Sequence, residues 1–299
     1  MSKSLLGPKY WLLWLGVLMM RLLVILPIKW QLAIGRGLGM LTYCLASKRR
    51  QIVEVNIGLC FPEKSLNTRK TLVKDSFKSI GMGVMEALMA WFMSSRRFNK
   101  IPFRWVNEAS TMALMNNGNR FMWLTGHFTC VEISGRLFGA RVPLNLVHKQ
   151  SHHPFFEHLI TKGRTPYLQG LIRHTNVRGM VRCLRNHKIL CYAPDQDFGL
   201  SRSVWTNFFG VPTATVHGVS VLAKTGNAQV IPVFFRRLPE GGYEGLSLEP
   251  LSNFPSGDDV ADAQQWQSLL EDYIRKYPEQ YLWMHRRFKT RPEGSAKVY

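Results

Sequence analysis

Acidic residues are scarce in this chain: 39 Lys and Arg stand against 19 Asp and Glu, a formal net charge of +20. Such an imbalance implies an anionic partner, whether nucleic acid, anionic lipid or an acidic protein. Cysteine is sparse and unpatterned. Cys44, Cys60, Cys130, Cys183 and Cys191 are odd in number and never form a CxxC. That argues against a disulfide framework or a zinc ribbon and fits a reducing compartment. Missing too are GxSxG, GxxxxGK, GxGxxG after a strand, and HExxH. The hydrolase elbow, the phosphate loop, the dinucleotide fingerprint and the zinc protease helix therefore drop out. His152-His153, in "KQSHHPFF", has no further ligands at metal spacing, so no metal is expected. Internal repeats and low-complexity tracts are absent as well.

What is present begins with apolar bulk. At 299 residues and 46% apolar composition, the chain can bury a sizeable core as one large domain, or one domain plus an appendage. Residues 10–28, "YWLLWLGVLMMRLLVILPI", are apolar except for Arg21. At 1.5 Å per residue that stretch just reaches across a hydrocarbon core of about 30 Å. No small-residue cleavage site follows, so residues 1–30 are expected to be an uncleaved membrane anchor and 31–299 the functional domain. Trp11, Trp14 and Trp30 sit near the ends of the stretch, where indoles favour the interface. A mid-span Arg21 costs about 2.5–3.5 kcal/mol on insertion scales, so the helix either lies partly in the interface or packs Arg21 against protein. The first fifty residues carry eight basic groups and no acid. Near an anionic leaflet each is worth about 1 kcal/mol.

Beyond the N-terminus the pattern is α/β. Helices are expected at 31–58, 68–94 (N-cap Asn67), 108–116, 128–139, 153–163, 176–186, 215–226 and 260–277. Strands are expected at 103–107, 120–125, 143–148, 188–193, 229–236 and 243–249. Their alternation predicts a central, mostly parallel or mixed sheet flanked by helices. Residues 194–214 read as a long, aromatic-rich functional loop.

The chemistry is expected in "WLTGHFTCVE", residues 123–132. An apolar strand-like run stops at Thr125-Gly126, His127 follows at once, and Glu132 comes five residues later. Positions five apart on a helix diverge, so His127 must precede the helix for Glu132 to reach back to it. In an open α/β sheet the turn after a strand's carboxyl end is where ligands bind. A carboxylate beside the imidazole makes it a general base. The alternative is a helix-capping histidine and a solvated glutamate. Cys130 offers a Cys–His acyl-enzyme instead, but a cysteine in an apolar helix is usually packing.

His-x4-Glu after a strand and "TGH" resembles the signature of membrane-associated glycerolipid-type acyltransferases. "CYAPDQDFG" (191–199), "FFGVPTAT" (208–215), "PVFFRR" (232–237) and "PEQYLWMHRRFKTRPEG" (278–294) narrow the resemblance to the late acyltransferases of lipid A biosynthesis in Gram-negative bacteria. The likeness is strongest to the lauroyltransferase type and runs over nearly the whole chain. It implies transfer of a fatty acyl chain from acyl carrier protein to a hydroxyacyl chain on a Kdo-bearing lipid A precursor (Kdo-lipid IVA). It implies an active site at the cytoplasmic face of the inner membrane, a glycerolipid acyltransferase-like fold, and no metal or other cofactor. It carries His127 and Glu132 over as base and partner. Arg164, in "TKGRTPY", becomes the candidate for the oxyanion or for substrate phosphate. Asp195, in "APDQD", would hold Arg164 or orient a loop, with Asp197 a second such residue. Residues 131–190 hold ten Lys and Arg, six His and only Glu132 and Glu157 as acids, which suits a phosphorylated acceptor, an acidic carrier and anionic lipid. The aromatics of 198–211 would wall an acyl channel, or form core under a long loop. Two other readings stay open: a glycerophospholipid or lysophospholipid acyltransferase using the same dyad, and a membrane-attached nucleic-acid-binding protein. Against the latter stands the lack of a helix-turn-helix or RRM signature, so no nucleic-acid partner is expected.

Overall fold

A computed structural model describes residues 3–299; residues 1 and 2 of the expected anchor lie outside it. The apolar stretch 10–28 is not one helix. It divides into α1 (Trp11–Leu23) and the start of α2 (Ile28–Leu45). Pro27 lacks an N–H and cannot continue α1, but it suits the start of the next helix. The carbonyls freed at the break are satisfied from the body of the protein. Val24 O accepts from Arg97 Nη1 (2.6 Å) and Gln31 Nε2 (3.1 Å), and Leu26 O from Arg97 Nη2 (2.9 Å) and Gln31 Nε2 (2.8 Å). At about 1.5 Å per residue α1 covers only about 20 Å, and among the described residues no helix is long and apolar enough to cross a membrane. This corrects the expected span. One side of α1 packs Val17 against Phe155 and Leu159. The other leaves Trp11, Leu12, Leu15, Leu18, Met19 and Leu22 exposed. Arg21 is exposed, with its guanidinium over the Phe92 ring, 5.5 Å from the centroid.

The expected helix 31–58 breaks at Ala46 into α2 and α3 (Ser47–Cys60). A long α4 (Leu66–Phe92) follows, capped by Ser65, whose side chain accepts from Thr68 N at 3.2 Å, rather than by Asn67. α2 and α4 meet backbone to backbone. A Cβ on Gly35 would stand 2.8 Å from Gly81 O, and one on Gly39 or Gly81 would run into the facing backbone. Only hydrogen fits there. Gly39→Ala should therefore lower stability by about 1–3 kcal/mol through overpacking, despite alanine's better helix propensity. A urea unfolding midpoint reads this directly.

After α5 (Ser95–Phe98) the α/β body begins. Its strands are β1 (Phe103–Val106), β2 (Phe121–Leu124), β3 (Leu144–His148), β4 (Gly170–Arg173), β5 (Ile189–Tyr192), β8 (Gln229–Arg237) and β9 (Tyr243–Ser247). They form one mixed sheet in the order β1-β9-β8-β2-β5-β3-β4, parallel at every pairing except β8 with β9. The crossovers run through α6 (Glu108–Asn116), α7 (Val131–Gly139), α8 (Pro154–Arg164), α9 (Val177–Arg185) and α10 (Gly218–Gly226), and α11 (Asp259–Lys276) follows β9. β2 is central and buried at every position, as its unbroken "FMWL" suggests for a strand covered on both faces.

Three strands were not anticipated. β4 is a short edge strand. β6 (Ser203–Phe208) and β7 (Val211–Val216) form a separate hairpin inside what reads as a loop. Its turn is Phe209-Gly210, both at positive φ (52° and 75°), the geometry of a tight hairpin turn normally advertised by Asn-Gly or Asp-Gly. A phenylalanine there hides the signal.

Candidate active site

The site follows from strand register. β2 and β5 are parallel neighbours, with Leu124 opposite Tyr192. Continuing equally far past each carboxyl end brings His127 beside Asp195. Asp195 Oδ1 lies 2.5 Å from His127 Nδ1, and Oδ2 accepts from His127 N at 2.8 Å and from Tyr281 Oη at 2.9 Å. The turn is clamped from the C-terminal segment: Thr129 N donates to Gln280 O (2.8 Å) and Leu282 N to His127 O (2.9 Å). Gly126 lets the turn lie against α11, where a Cβ would come within 2.6 Å of Leu270 Cδ1. Below, α4 joins in through a buried ion pair. Arg237 Nε and Nη2 donate to Glu86 Oε1 and Oε2, each at 2.6 Å, and Ser79 links Arg237 Nη1 (3.1 Å) to Thr129 Oγ1 (2.7 Å).

Burial by itself would raise the Asp195 carboxyl, but the imidazole's charge and the hydrogen bonds hold it down at about 2. For His127 burial alone would lower the pKa. The charge and hydrogen bond of Asp195 outweigh it, and the imidazole is raised above its ordinary value. With Nδ1 on the carboxylate, Nε2 has no hydrogen-bond partner among the described residues and the ring lines a cavity.

The carboxylate hydrogen-bonded to the imidazole is thus Asp195, and the contact expected from Glu132 is not made. Glu132, in the first turn of α7, pairs with Arg164, the last residue of α8. Arg164 Nε reaches Oε2 at 3.1 Å, Nη2 bonds Oε1, and Trp91 Nε1 donates to Oε2 at 3.0 Å. The guanidinium fork takes both carboxylate oxygens, while the imidazole nitrogen that an acid could hold is already on Asp195. Burial would lower the Arg164 pKa, but the hydrogen bonds and charge of Glu132 raise it. Asp195 makes no bond to Arg164; it orients His127 and Tyr281. Asp197 serves the fold. Its carboxylate accepts from Gly199 N (2.8 Å), Thr290 N (2.9 Å) and Thr290 Oγ1 (2.9 Å), and its N–H donates to His285 Nε2 (3.0 Å). His285 is a neutral acceptor, pushed down to about 4 by burial. Buried Arg287 adds bonds to Ala214 O (2.8 Å) and Thr215 Oγ1 (2.9 Å). The "HRRFKT" segment therefore buttresses the loop that carries Asp195. Tyr281 and Trp91 were not anticipated, although Tyr281 lies within the C-terminal stretch quoted above.

His127, Glu132 and Arg164 line a single cavity of about 300 Å³. Strands β2, β3, β5 and β8 and the residues just past them lend it mainly alternate residues of one face: Trp123 and Thr125, Leu144, Leu146 and His148 (with Val147), Cys191 and Ala193, Val233 and Phe235. α7 and the segment after α8 cover it. Its walls are apolar and its ionisable groups stand at the carboxyl edge. Nothing from residues 198–211 lines it. Of the two readings of that stretch, Phe208 and Phe209 fit the core one, and Phe198 and Leu200 are exposed. Cys130 is fully buried and its thiol is pushed up to about 12, chiefly by burial. It has negligible thiolate at neutral pH. Cys130→Ala should leave turnover within about threefold of wild type, since a buried cysteine is normally packing; a thioester-consumption assay checks this.

In chemical terms this is a carboxylate-backed imidazole at the mouth of an apolar cavity, beside a bidentate acid–guanidinium pair. It can take a proton from a hydroxyl and stabilise the imidazolium that results. The family model described as "Bacterial lipid A biosynthesis acyltransferase" matches residues 1–290. The chain is 37% identical to a lipid A biosynthesis lauroyltransferase of Escherichia coli K12 over all of its length and 98% of that protein. It is 32% identical to the palmitoleoyltransferase of the same organism over all of its length and 97% of that one. It is 35% identical to a lipid A biosynthesis acyltransferase of Haemophilus influenzae over 96% of this chain and 93% of that one. A crystal structure of the 1-acyl-sn-glycerophosphate acyltransferase from Thermotoga maritima aligns over 79% of this chain and 99% of that one, at 12% identity and a TM-score of 0.36, too low to add to the fold described above. The protein is an acyltransferase. It belongs to the bacterial lipid A biosynthesis acyltransferase family.

Proposed function

We propose that this enzyme moves a fatty acyl chain from an acyl carrier protein thioester to the 3-hydroxyl of a hydroxyacyl chain on a Kdo-bearing lipid A precursor, Kdo-lipid IVA. The observation that carries this reading is the His127–Asp195 pair at the mouth of an apolar cavity. The donor's acyl chain lies in the cavity with its carbonyl near His127. His127 Nε2 takes the proton of the acceptor hydroxyl as that oxygen attacks the thioester carbon. The tetrahedral intermediate collapses, the C–S bond breaks, and the imidazolium returns the proton to the departing thiolate. Asp195 stabilises the imidazolium throughout. Arg164, held by both oxygens of Glu132, supplies positive charge for the oxyanion or for an acceptor phosphate. The thiol leaves readily, so no covalent enzyme intermediate is needed. The test is product mass. Wild-type enzyme with acyl carrier thioester and Kdo-bearing precursor should yield a product heavier by one acyl group, and His127→Ala should not. Acylation of a lysophospholipid in its place would overturn the choice of acceptor.

The reaction is set at the cytoplasmic face of the bacterial inner membrane, with residues 1–30 as a docking element. The exposed row from Trp11 to Leu22 continues into Ile25 and Trp30, and Lys9, Lys29 and Arg36 are exposed nearby with no acid among them. An apolar row flanked by cations suits insertion into an anionic leaflet without crossing it. Leu15→Glu with Leu18→Glu should abolish cosedimentation with anionic lipid vesicles, while the purified variant keeps the wild-type circular dichroism spectrum. Undiminished cosedimentation would mean that another face does the docking.

A further inference from the structure

We propose that Gly135 and Phe138 set the length of the acyl chain this enzyme accepts, Gly135 by leaving the cavity open midway and Phe138 by closing its floor. The proposal rests on the cavity holding the donor's chain, as argued under Proposed function.

Glu132, Gly135 and Phe138 recur at helical spacing on α7, and all three line the cavity. The helix descends from the carboxyl edge of the sheet, so they stand at successive depths of about 4.5 Å each. Glu132 is at the mouth beside His127. Gly135 is one turn down, and a Cβ built there meets nothing nearer than Tyr167 Cε2 at 3.8 Å. Any larger side chain would enter the cavity. This separates Gly135 from Gly139 one turn on, where a Cβ would strike the Tyr167 backbone. Gly135 is free of such packing constraint, and its lack of a side chain leaves volume in the cavity.

Phe138 is held from behind. Its ring meets Trp105, Phe103 and Trp123 edge to face at centroid distances of 5.0, 5.2 and 5.4 Å. Gly245 gives it room, since a Cβ there would press on Phe138 Cζ. A floor clamped in this way does not swing aside for a longer chain. On the opposite wall the depth from His148 down to Leu144 is about 13 Å at strand rise, close to half of the roughly 30 Å hydrocarbon core of a bilayer. The cavity is sized for a chain of about one leaflet's length or shorter.

The experiment offers wild type, Gly135→Met and Phe138→Val an equimolar series of carrier thioesters of increasing saturated length, and reads product masses. Gly135→Met should shift preference toward shorter donors by about tenfold or more, a size set by what a methylene is worth in an apolar pocket, while its best short donor turns over near the wild-type rate. Phe138→Val should shift preference toward longer donors. As a readout independent of turnover, melting temperature is followed with free fatty acids of the same lengths. The length giving the largest rise should fall in Gly135→Met and increase in Phe138→Val. Wild-type turnover with length profiles unchanged in both variants overturns this proposal alone. Length-dependent fatty acid stabilisation that moves as stated, with no wild-type transfer to the lipid A precursor, overturns the acceptor reading and leaves the cavity assignment standing. A loss uniform across all lengths in both variants, in rate and in melting shift alike, overturns the assignment of depth.

Discussion

Alanine at His127 should lower acyl transfer by about 10²–10⁴-fold, the usual worth of a positioned general base, and asparagine at Asp195 should come close to it. The two variants separate in their pH dependence. A general base works as the neutral imidazole, and Asp195 raises the His127 pKa above its ordinary 6.5. The acid limb of kcat/KM should therefore have an apparent pKa above 6.5. Asp195→Asn removes the raising charge and leaves the burial that lowers it, so the limb should move to lower pH while the plateau falls. The pair also stabilises the fold over a defined range. The part due to His127 is complete below its unfolded value of 6.5 and fades as pH rises through the raised folded value. The part due to Asp195 is complete above its ordinary 3.8 and fades as pH falls toward about 2. The stability deficit of Asp195→Asn should thus be greatest at mildly acidic pH and shrink on either side. A pH profile matching wild type in Asp195→Asn would remove Asp195 from any partnership with the base.

How much of this was legible beforehand depended on the range over which each signal acts. The turn bearing His127 is local: an apolar run, Thr-Gly, then a helix, and it lies where that pattern predicts. Six of the sheet's seven strands were readable for the same reason. The identity of the imidazole's partner is not local. His127 and Asp195 are brought together by the pairing of β2 with β5, a contact that no spacing within "GHFTCVE" contains. Glu132 has the right chemistry and the right proximity in sequence, but Arg164, arriving from the end of α8, takes both of its oxygens. The N-terminal segment misled for a related reason. Its composition is that of a span, and a single Pro27, with Arg97 and Gln31 capping the freed carbonyls, divides it between the short α1 and the start of α2. Hydropathy does not register a break that tertiary hydrogen bonds make affordable.

The Glu132–Arg164 pair yields the second large effect, and it discriminates between two roles for the acid. Arg164→Ala and Glu132→Ala should each cost about 10–100-fold in kcat/KM, the range found for partners that hold a functional group in place. Arg164→Lys should recover little, because a lysine ammonium cannot reproduce the two-pronged contact. The double variant should be no worse than the poorer single one, since the groups act as a unit. Its pH profile carries the sharper message. Were Glu132 the imidazole's partner, Glu132→Gln would drag the acid limb downward as Asp195→Asn does. With Glu132 spent on Arg164 and Asp195 on His127, Glu132→Gln should lower the plateau and leave the limb in place. The division between kcat and KM then says what Arg164 touches. A fall confined to kcat places the guanidinium at the oxyanion, where interaction grows toward the transition state. A rise confined to the acceptor's KM, erased when an acceptor lacking phosphate is used, places it on a phosphate. A limb that moves in Glu132→Gln and stays fixed in Asp195→Asn would reverse the assignment of the two acids.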